Sequence, residues 1–381
     1  MASKNSFGER SIKLHRSLKG KISVIGKAKV KSLADLNLVY TPGVGAVSTY
    51  LSKNKKETRN LTIKGNSVAI ISDGSAVLGL GNIGPEGALP VMEGKALLFK
   101  EFAGIDAFPI VLATQDVEEI IKTVKNIAPV FGGVNLEDIS APRCFEIEER
   151  LKKELDIPVM HDDQHGTAIV VLAALINAFK VVKKNMKKAT VVVAGAGAAG
   201  TAITKLLLLY GVGDVIVLDS KGIIEKGRSD LNKSKKKLAA ITNKNGRKGD
   251  LRQALLTADA VIGVSGPNTI KASDIKLMAG EAIVFGLANP IPEIMPDEAK
   301  KGGAAVVATG RSDFPNQVNN SLVFPGVFRG ALDRGVGEIT DAMKLKAAKA
   351  LAKLVRTPTA EKIIPTVFEK GVVKAVASAI H

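Results

Sequence analysis

The sequence predicts an α/β fold in two domains, the second built on a doubly wound parallel sheet. Three observations carry this. Short β-branched runs alternate with helical stretches along the whole chain, the pattern of α/β layers. From Ala189 onward, strands at 190–194, 215–218, 260–264, 282–285 and 305–308 are each followed by a helix or turn. A glycine-rich turn follows the first of these strands directly, at Gly195-Ala196-Gly197-Ala198-Ala199-Gly200.

At 381 residues the chain is long enough for two cores. In the first half the spacing predicts strands at 67–72, 107–112, 133–136 and 157–160, with helices at 92–102, 117–128 and 142–155. The four glycines between 78 and 87 predict a loop. A long helix at 167–184 joins the halves, which sets the domains at 1–165 and 166–381. Helices at 322–334, 340–352 and 359–380 close the chain, and the last of them are expected to pack back on the first domain.

Composition narrows the class. With 46% hydrophobic and 24% charged residues this is a globular chain. No uninterrupted apolar run reaches the roughly 18–20 residues of a membrane span; the stretch 169–182 carries Asn177 and Lys180 and reads as a buried helix. The N-terminus shows no secretory pattern, and the single cysteine, Cys144, excludes an intramolecular disulfide. A cytoplasmic protein is expected. The net charge is +17, but its lysines are spread out, with runs only at 53–56, 183–188 and 233–237. With no Trp and three Tyr to interleave as stacking platforms, these runs read as solvated faces. Neither nucleic acid nor membrane is expected as a partner; attraction of an anionic substrate is one reason for the charge.

The glycine turn has the context that makes it informative. A buried strand enters it and a helix leaves it. Gly195 permits the tight turn, Gly197 lets a pyrophosphate approach the backbone, and Gly200 lets helix and strand pack closely. Ala196, Ala198 and Ala199 complete the cofactor-binding turn. Asp219 ends the next strand, where a carboxylate bonds adenosine ribose hydroxyls. This is the fingerprint of a Rossmann domain binding NAD or NADP. Asp219 leans towards NAD, but Ser220, Lys221 and Arg228 follow closely and can receive a 2′-phosphate, so the preference stays open.

Two segments end predicted strands with adjacent carboxylates, Glu137-Asp138 and Asp162-Asp163. Strand C-termini converge on a crevice in open α/β sheets, and carboxylates brought together there repel unless a cation neutralises them. Oxygen ligands select Mg²⁺ or Mn²⁺. On residue type alone, Asp162 and Asp163 can equally cap the following helix, and His161 and His165 read as hydrogen-bonding or capping residues rather than ligands.

Several blocks together resemble a known family. Tyr40-Thr41-Pro42-Gly43-Val44, Val91-Met92-Glu93-Gly94-Lys95, Leu136-Glu137-Asp138 and His161-Asp162-Asp163-Gln164-His165-Gly166-Thr167 are similar to the signature blocks of malic enzymes, in their short prokaryotic form. Ser72-Asp73-Gly74, Leu78-Gly79-Leu80-Gly81-Asn82, Ala288-Asn289-Pro290 and Gln317-Val318-Asn319-Asn320 agree, in the family's order, from about Tyr40 to about Gly330. The resemblance implies oxidative decarboxylation of L-malate to pyruvate and CO₂, reduction of NAD or NADP, a divalent metal and a homodimer. It implies that the first domain is catalytic, with Glu137, Asp138 and Asp163 as metal ligands, Lys95 as general base and Tyr40 as general acid. Asp162 supports the lysine. Asn289 and Asn320 contact substrate, Asn289 also lying at the cofactor and Lys95 at the substrate.

The chemistry suits these residues. Hydride leaves the malate carbinol carbon only if the hydroxyl proton leaves too, which Lys95 can take if its site lowers its pKa towards neutrality. Decarboxylation leaves an enolate, which the Tyr40 phenol can protonate on carbon. Taken singly, Lys95 is equally a solvated lysine, Tyr40 a core-edge residue, and Asn289 and Asn320 turn or cap residues. One departure stands out: the arginine with which larger malic enzymes hold a substrate carboxylate is absent from Gly74-Ser75-Ala76-Val77. Ser75, the amides of the 78–84 loop or a residue elsewhere in the chain is expected to replace it. No appended regulatory domain is expected. Two other functions fit parts of the pattern: a metal-dependent oxaloacetate decarboxylase, which needs no intact nicotinamide fingerprint, and an amino-acid-type dehydrogenase, which needs no carboxylate cluster.

Overall fold

The computed structural model describes residues 7–381. Four helices come first: α1 (Phe7–Leu18), α2 (Leu33–Val39), α3 (Gly43–Lys53) and the single turn α4 (Thr58–Leu61). None of the four buries a residue. The first sheet then alternates strictly with helices: β1 (Ser67–Ser72), α5 (Gly84–Ala103), β2 (Asp106–Val111), α6 (Val117–Ile127), β3 (Gly133–Leu136), α7 (Arg143–Glu154) and β4 (Val159–His161). Its strands are all parallel in the order β2-β1-β3-β4. β1 is buried along its whole length, as a continuous β-branched run covered on both faces should be.

α8 (Asp162–Val181) leaves β4 without a linker and runs through the middle of the molecule. By length and composition it is the one helix among the described residues able to cross a bilayer, but 78% of its apolar window is buried inside the protein. The polar residue that interrupts it, Asn177, is satisfied: its Nδ2 donates to the carbonyls of Ala352 and Ile363 at 2.8 and 2.9 Å.

The second sheet comprises β5 (Thr190–Ala194), β6 (Asp214–Asp219), β7 (Gly222–Ile223), β8 (Ala260–Gly263), β9 (Ala282–Gly286) and β10 (Ala304–Thr309). Its order is β10-β9-β8-β5-β6-β7. Counted from β5 this is the 3-2-1-4-5-6 order of a dinucleotide fold. Helices α9 (Ala198–Tyr210), α10 (Lys233–Ile241), α11 (Leu251–Leu255), α12 (Ala272–Ile275) and α13 (Pro296–Lys301) connect the strands, and α14 (Phe324–Arg334), α15 (Asp341–Lys353) and α16 (Val372–Ser378) close the chain. α14 returns to the first sheet, where Phe324 and Phe328 stack on Phe99 of α5 with ring centroids 4.7 and 5.5 Å apart.

Four elements differ from expectation. α5 begins at Gly84 rather than 92, because Pro85 in its first turn presets the helical φ and overrides the glycines. α8 begins at Asp162 rather than 167, so both aspartates lie in its first turn. β7 pairs antiparallel with β6, so the sheet is not wholly parallel. The expected helix 359–380 is reduced to α16, since Pro365 cannot continue a helix and Gly371 sits at φ +94° just before it.

Phe99, fully buried between α5 and α14, ties the two halves. Phe99→Ala should destabilise the protein by about 3–5 kcal/mol in urea unfolding. A loss below about 1 kcal/mol would show that this aromatic cluster is not where the halves are joined.

Candidate active site

The predicted carboxylates meet. β3 and β4 are neighbours, with Leu136 opposite His161, so the residues that follow each strand emerge side by side. Asp138 takes φ +53°, a left-handed conformation that aspartate tolerates better than most residues, and its amide donates to Asp163 Oδ2 at 2.8 Å. One ligand oxygen from each of Glu137, Asp138 and Asp163 lies within 4.8 Å of the others. An all-oxygen set of this kind fits a hard divalent cation.

Lys95 reaches the cluster from the middle of α5. Its ammonium pairs with Glu137 Oε2 and, at 2.6 Å, with Asp162 Oδ2. The lysine is 7% exposed and Asp162 fully buried. Burial disfavours the ammonium, but Asp162, Glu137 and Asp163 outweigh it and hold the Lys95 pKa above its ordinary value. The proton-accepting role expected of Lys95 requires a lowered pKa, whereas the carboxylates beside it raise it. Burial pushes Glu137, Asp162 and Asp163 up, helped by their mutual repulsion. One lysine does not neutralise four clustered carboxylates. Asp162 Oδ1 is buried with no hydrogen-bond partner. It occupies the space above Gly166, where a Cβ would lie 1.8 Å from it.

Asn320 is at the same place: its Cβ lies 3.2 Å from the point where a Gly166 side chain would begin. Asn289 follows β9, half-buried, and its carbonyl lies 2.2 Å from where a Gly79 Cβ would be, so the glycine-rich loop of the first sheet touches the second sheet here. Tyr40 is the exception. It ends α2, 63% exposed, and α2 packs mainly on α3 rather than on the buried cluster. One chain does not carry its phenol into a desolvated site beside Lys95. Ser75 also departs from expectation, because its hydroxyl is committed to protein: it donates to Asp73 Oδ1 at 2.5 Å and accepts from the Ser140 amide at 2.9 Å and Arg143 Nη2 at 3.0 Å.

Three residues that shape the site gave no signal in sequence. Phe324, from α14, lies under Lys95 with its ring centroid 4.5 Å from Nζ, a cation–π contact from the far end of the chain. Asn135 Nδ2 donates to Glu137 Oε2 at 3.0 Å. Glu148, which in sequence belongs to a charged helix face, is 6% exposed and accepts from the His161 amide (3.0 Å) and Gln164 Nε2 (3.3 Å), with His165 Nε2 at 2.9 Å. It anchors the start of α8. His161 itself is fully buried, and burial lowers its pKa.

At the second sheet the glycine turn is built as its spacing implies. A Cβ on Gly200 would lie 1.8 Å from the Gly195 carbonyl, and Gly195 adopts φ +130°. Gly197 faces open space and starts α9, leaving the helix N-terminus open to an anion. Ala196, Ala198 and Ala199 line the turn, each partly exposed. Asp219 lies beside it, since Ala194 pairs with Leu218. Both Asp219 oxygens are engaged by protein cations, Arg228 and Lys235, rather than left open for ribose as expected. Ser220 is exposed next to it.

Residues 164–381 match the family model "Malic enzyme, NAD binding domain", and residues 19–116 and 113–152 match "Malic enzyme, N-terminal domain". The chain belongs to the malic enzyme family. It is 52% identical to the bifunctional malic/malolactic enzyme of Bacillus subtilis over 98% of this chain and 92% of that one. Identity to the NAD-dependent malic enzyme of Geobacillus stearothermophilus is 54%, over 98% of this chain and 78% of that one. The NADP-dependent malic enzyme of Salmonella typhimurium is 46% identical over 90% of this chain and 46% of its own length, so this chain spans about half of that relative. Among solved structures, the NAD-dependent malic enzyme of Thermotoga maritima superposes with a TM-score of 0.94 at 49% identity, covering 97% of this chain and 98% of that one.

Glu148 gives the malic enzyme site a stability test separate from its chemistry. Glu148→Ala leaves the His161 amide and the buried polar side chains of α8 without an acceptor, and is expected to cost about 2–4 kcal/mol in urea unfolding. Glu148→Gln, which keeps an acceptor oxygen, should cost less. Equal losses would show that the carboxamide oxygen does not replace the carboxylate here.

Proposed function

We propose that this chain catalyses oxidative decarboxylation of L-malate to pyruvate and CO₂ with reduction of NAD or NADP, in a reaction that depends on Mg²⁺ or Mn²⁺. The observation that carries the reading is the buried cluster of Glu137, Asp138 and Asp163, with Lys95 held between Glu137 and Asp162. The relatives' names support the substrate and both cofactors. An amino-acid-type dehydrogenase has no use for the three-carboxylate set, and a decarboxylase that does not oxidise malate has no use for an intact glycine turn.

In this reading Glu137, Asp138 and Asp163 would hold the divalent cation, which would supply Lewis-acid polarisation of substrate oxygens. The glycine turn at Gly195, Gly197 and Gly200 would hold the nicotinamide dinucleotide, which would supply the hydride acceptor. Lys95 takes the malate hydroxyl proton. Glu137 serves both the cluster and Lys95, so neutralising the cluster weakens the hold that keeps Lys95 protonated, and burial then favours the free amine. Asp162, fully buried, keeps Lys95 Nζ pointed into the site. Asn320, against Gly166, and Asn289, at the contact between the sheets, position substrate and cofactor.

Tyr40 protonates the enolate carbon after CO₂ loss. Its exposure in one chain, and the lack of any buried residue on α1–α3, fit a homodimer in which a partner's α2–α3 segment delivers the phenol. Exposed Phe7, Ile12, Leu18, Leu33, Leu38 and Val47 supply the apolar surface that a second copy would cover. Cytoplasmic residence fits a chain whose one cysteine, Cys144, is buried and unpaired.

Absorbance of reduced cofactor, followed with malate and Mn²⁺ and separately with NAD and NADP, tests the reaction; no signal with either in folded protein would refute it. Lys95→Ala should lose malate oxidation by about three orders of magnitude or more while still binding the reduced cofactor. Wild-type turnover would remove Lys95 as the base. Delivery of Tyr40 by the partner makes a further outcome checkable: Tyr40→Phe and Lys95→Ala chains, each inactive alone, should regain a fraction of wild-type activity when unfolded together and refolded. No recovery in refolded mixed dimers would place the acid and the base in the same chain.

A further inference from the structure

A cavity of about 650 Å³ lies apart from the chemistry described so far. Its walls come from α7, the first turns of α8, and from α9, α10 and α15. Neither the glycine turn nor Asp219 lines it, nor does any of Lys95, Glu137, Asp138 and Asp163. Lys235, the α10 lysine that bonds Asp219, is also absent from its walls. Six cations, Arg150 and five lysines, line it with four carboxylates, Glu146, Glu148, Glu149 and Asp341.

Lys344, on α15, is the decisive wall residue. It is 3% exposed, and an ammonium is costly to bury without a close partner. Its one ion pair is with Asp341 Oδ1 at 2.9 Å, but that carboxylate is 72% exposed, so solvent screens it. Lys152 of α7 faces the same space, its Nζ 3.4 Å from Glu148 Oε1. Burial and the Lys152 ammonium push the Lys344 pKa below its ordinary value, and Asp341 and Glu148 do not restore it. Two ammoniums thus lie close together with too little negative charge between them. Of the three N–H groups on Lys344, one goes to Asp341 and two are left to donate. Among the described residues, the exposed Lys205, Lys233 and Lys237 of the same cavity have no carboxylate within ion-pair distance.

The kind of donor indicates the kind of anion. A planar carboxylate is held best by the parallel N–H groups of an arginine. Arg150, the one arginine in the walls, is spent on Glu118, which takes both Nη1 and Nη2. Separate ammoniums from different helices suit instead a phosphate group, whose oxygens point in several directions. Phe145, Leu206 and Leu209 leave apolar wall for an organic body beside it.

We propose that this cavity binds a phosphorylated small molecule, whose phosphate is held by Lys344 and Lys152. The site is separate from the catalytic one but shares a neighbour with it. Glu148, beside Lys152, also accepts from the His161 amide and Gln164 at the start of α8, where Asp162 and Asp163 enter the acid cluster. The ligand therefore sits one side chain away from the anchor of that helix.

Calorimetric titration of the full chain with inorganic pyrophosphate, in metal-free buffer with chelator, tests this without turnover. One site with a Kd below about 1 mM is expected. Lys344→Met should weaken it by at least about tenfold and Lys152→Ala by about fivefold or more, in variants that keep the wild-type far-ultraviolet dichroism. Citrate, a carboxylate of similar charge, should bind at least about tenfold more weakly. Saturating reduced cofactor should leave the pyrophosphate affinity within about twofold, as for two separate sites. Displacement by the cofactor would put the anion on the glycine turn and overturn the proposal. So would unchanged affinity in Lys344→Met, equal or tighter binding of citrate, or no pyrophosphate binding by the folded wild type.

Discussion

The ion pairing of one buried lysine with the acids at the ends of two strands is what the rest of this structure arranges. Lys95 lies between Glu137 and Asp162, and Asp138 and Asp163 lie against the same cluster. Carboxylates so close together are unfavourable in a low-dielectric interior unless cations balance them. A single lysine leaves the balance negative. The parallel β3–β4 register brings the two acid pairs to one edge, α8 starts at Asp162 with no linker, and Gly166 leaves room for the Asp162 carboxylate. Each feature serves to hold charge where water would otherwise be needed.

Packing then determines how the two halves share the work. Phe324 comes from beyond the second sheet, yet its ring lies under the Lys95 ammonium and its neighbour Phe328 packs on Phe99. Gly79 touches the backbone of Asn289 closely enough that no side chain fits between them. Lys95 is therefore seated by residues from both halves, which meet again where Gly79 approaches Asn289. The dinucleotide turn is independent of this: Gly195 and Gly200 are required by contacts within the second half alone.

Much of this was readable from the chain itself. The β-branched runs gave the strands nearly to the residue, and β1, β3 and β5 have the bounds expected, because buried parallel strands have little freedom in composition. The carboxylate cluster was readable because strand ends in such sheets converge. Helix starts were less so: α5 and α8 both begin earlier than their periodicity implied, since Pro85 and the two aspartates favour a first turn that the hydrophobic pattern does not mark. Contacts over long sequence separation left no local trace. Phe324 and Glu148 look like ordinary helix residues until the fold brings them to Lys95 and His161. Asp219 shows the same limit in the other direction. Its position in sequence is that of a ribose ligand, and only its bonds to Arg228, nine residues on, and Lys235, sixteen on, show its oxygens occupied.

The claim on which the others rest is that the acid cluster is a cation site. Titration of the full chain with Mn²⁺, read by the loss of the free-ion paramagnetic resonance signal, tests it without substrate or turnover. One Mn²⁺ per chain is expected in the wild type, with affinity falling by about 100-fold or more in Asp163→Asn that keeps its far-ultraviolet dichroism. Unchanged Mn²⁺ affinity in that variant, or no binding by the folded wild type, would contradict it.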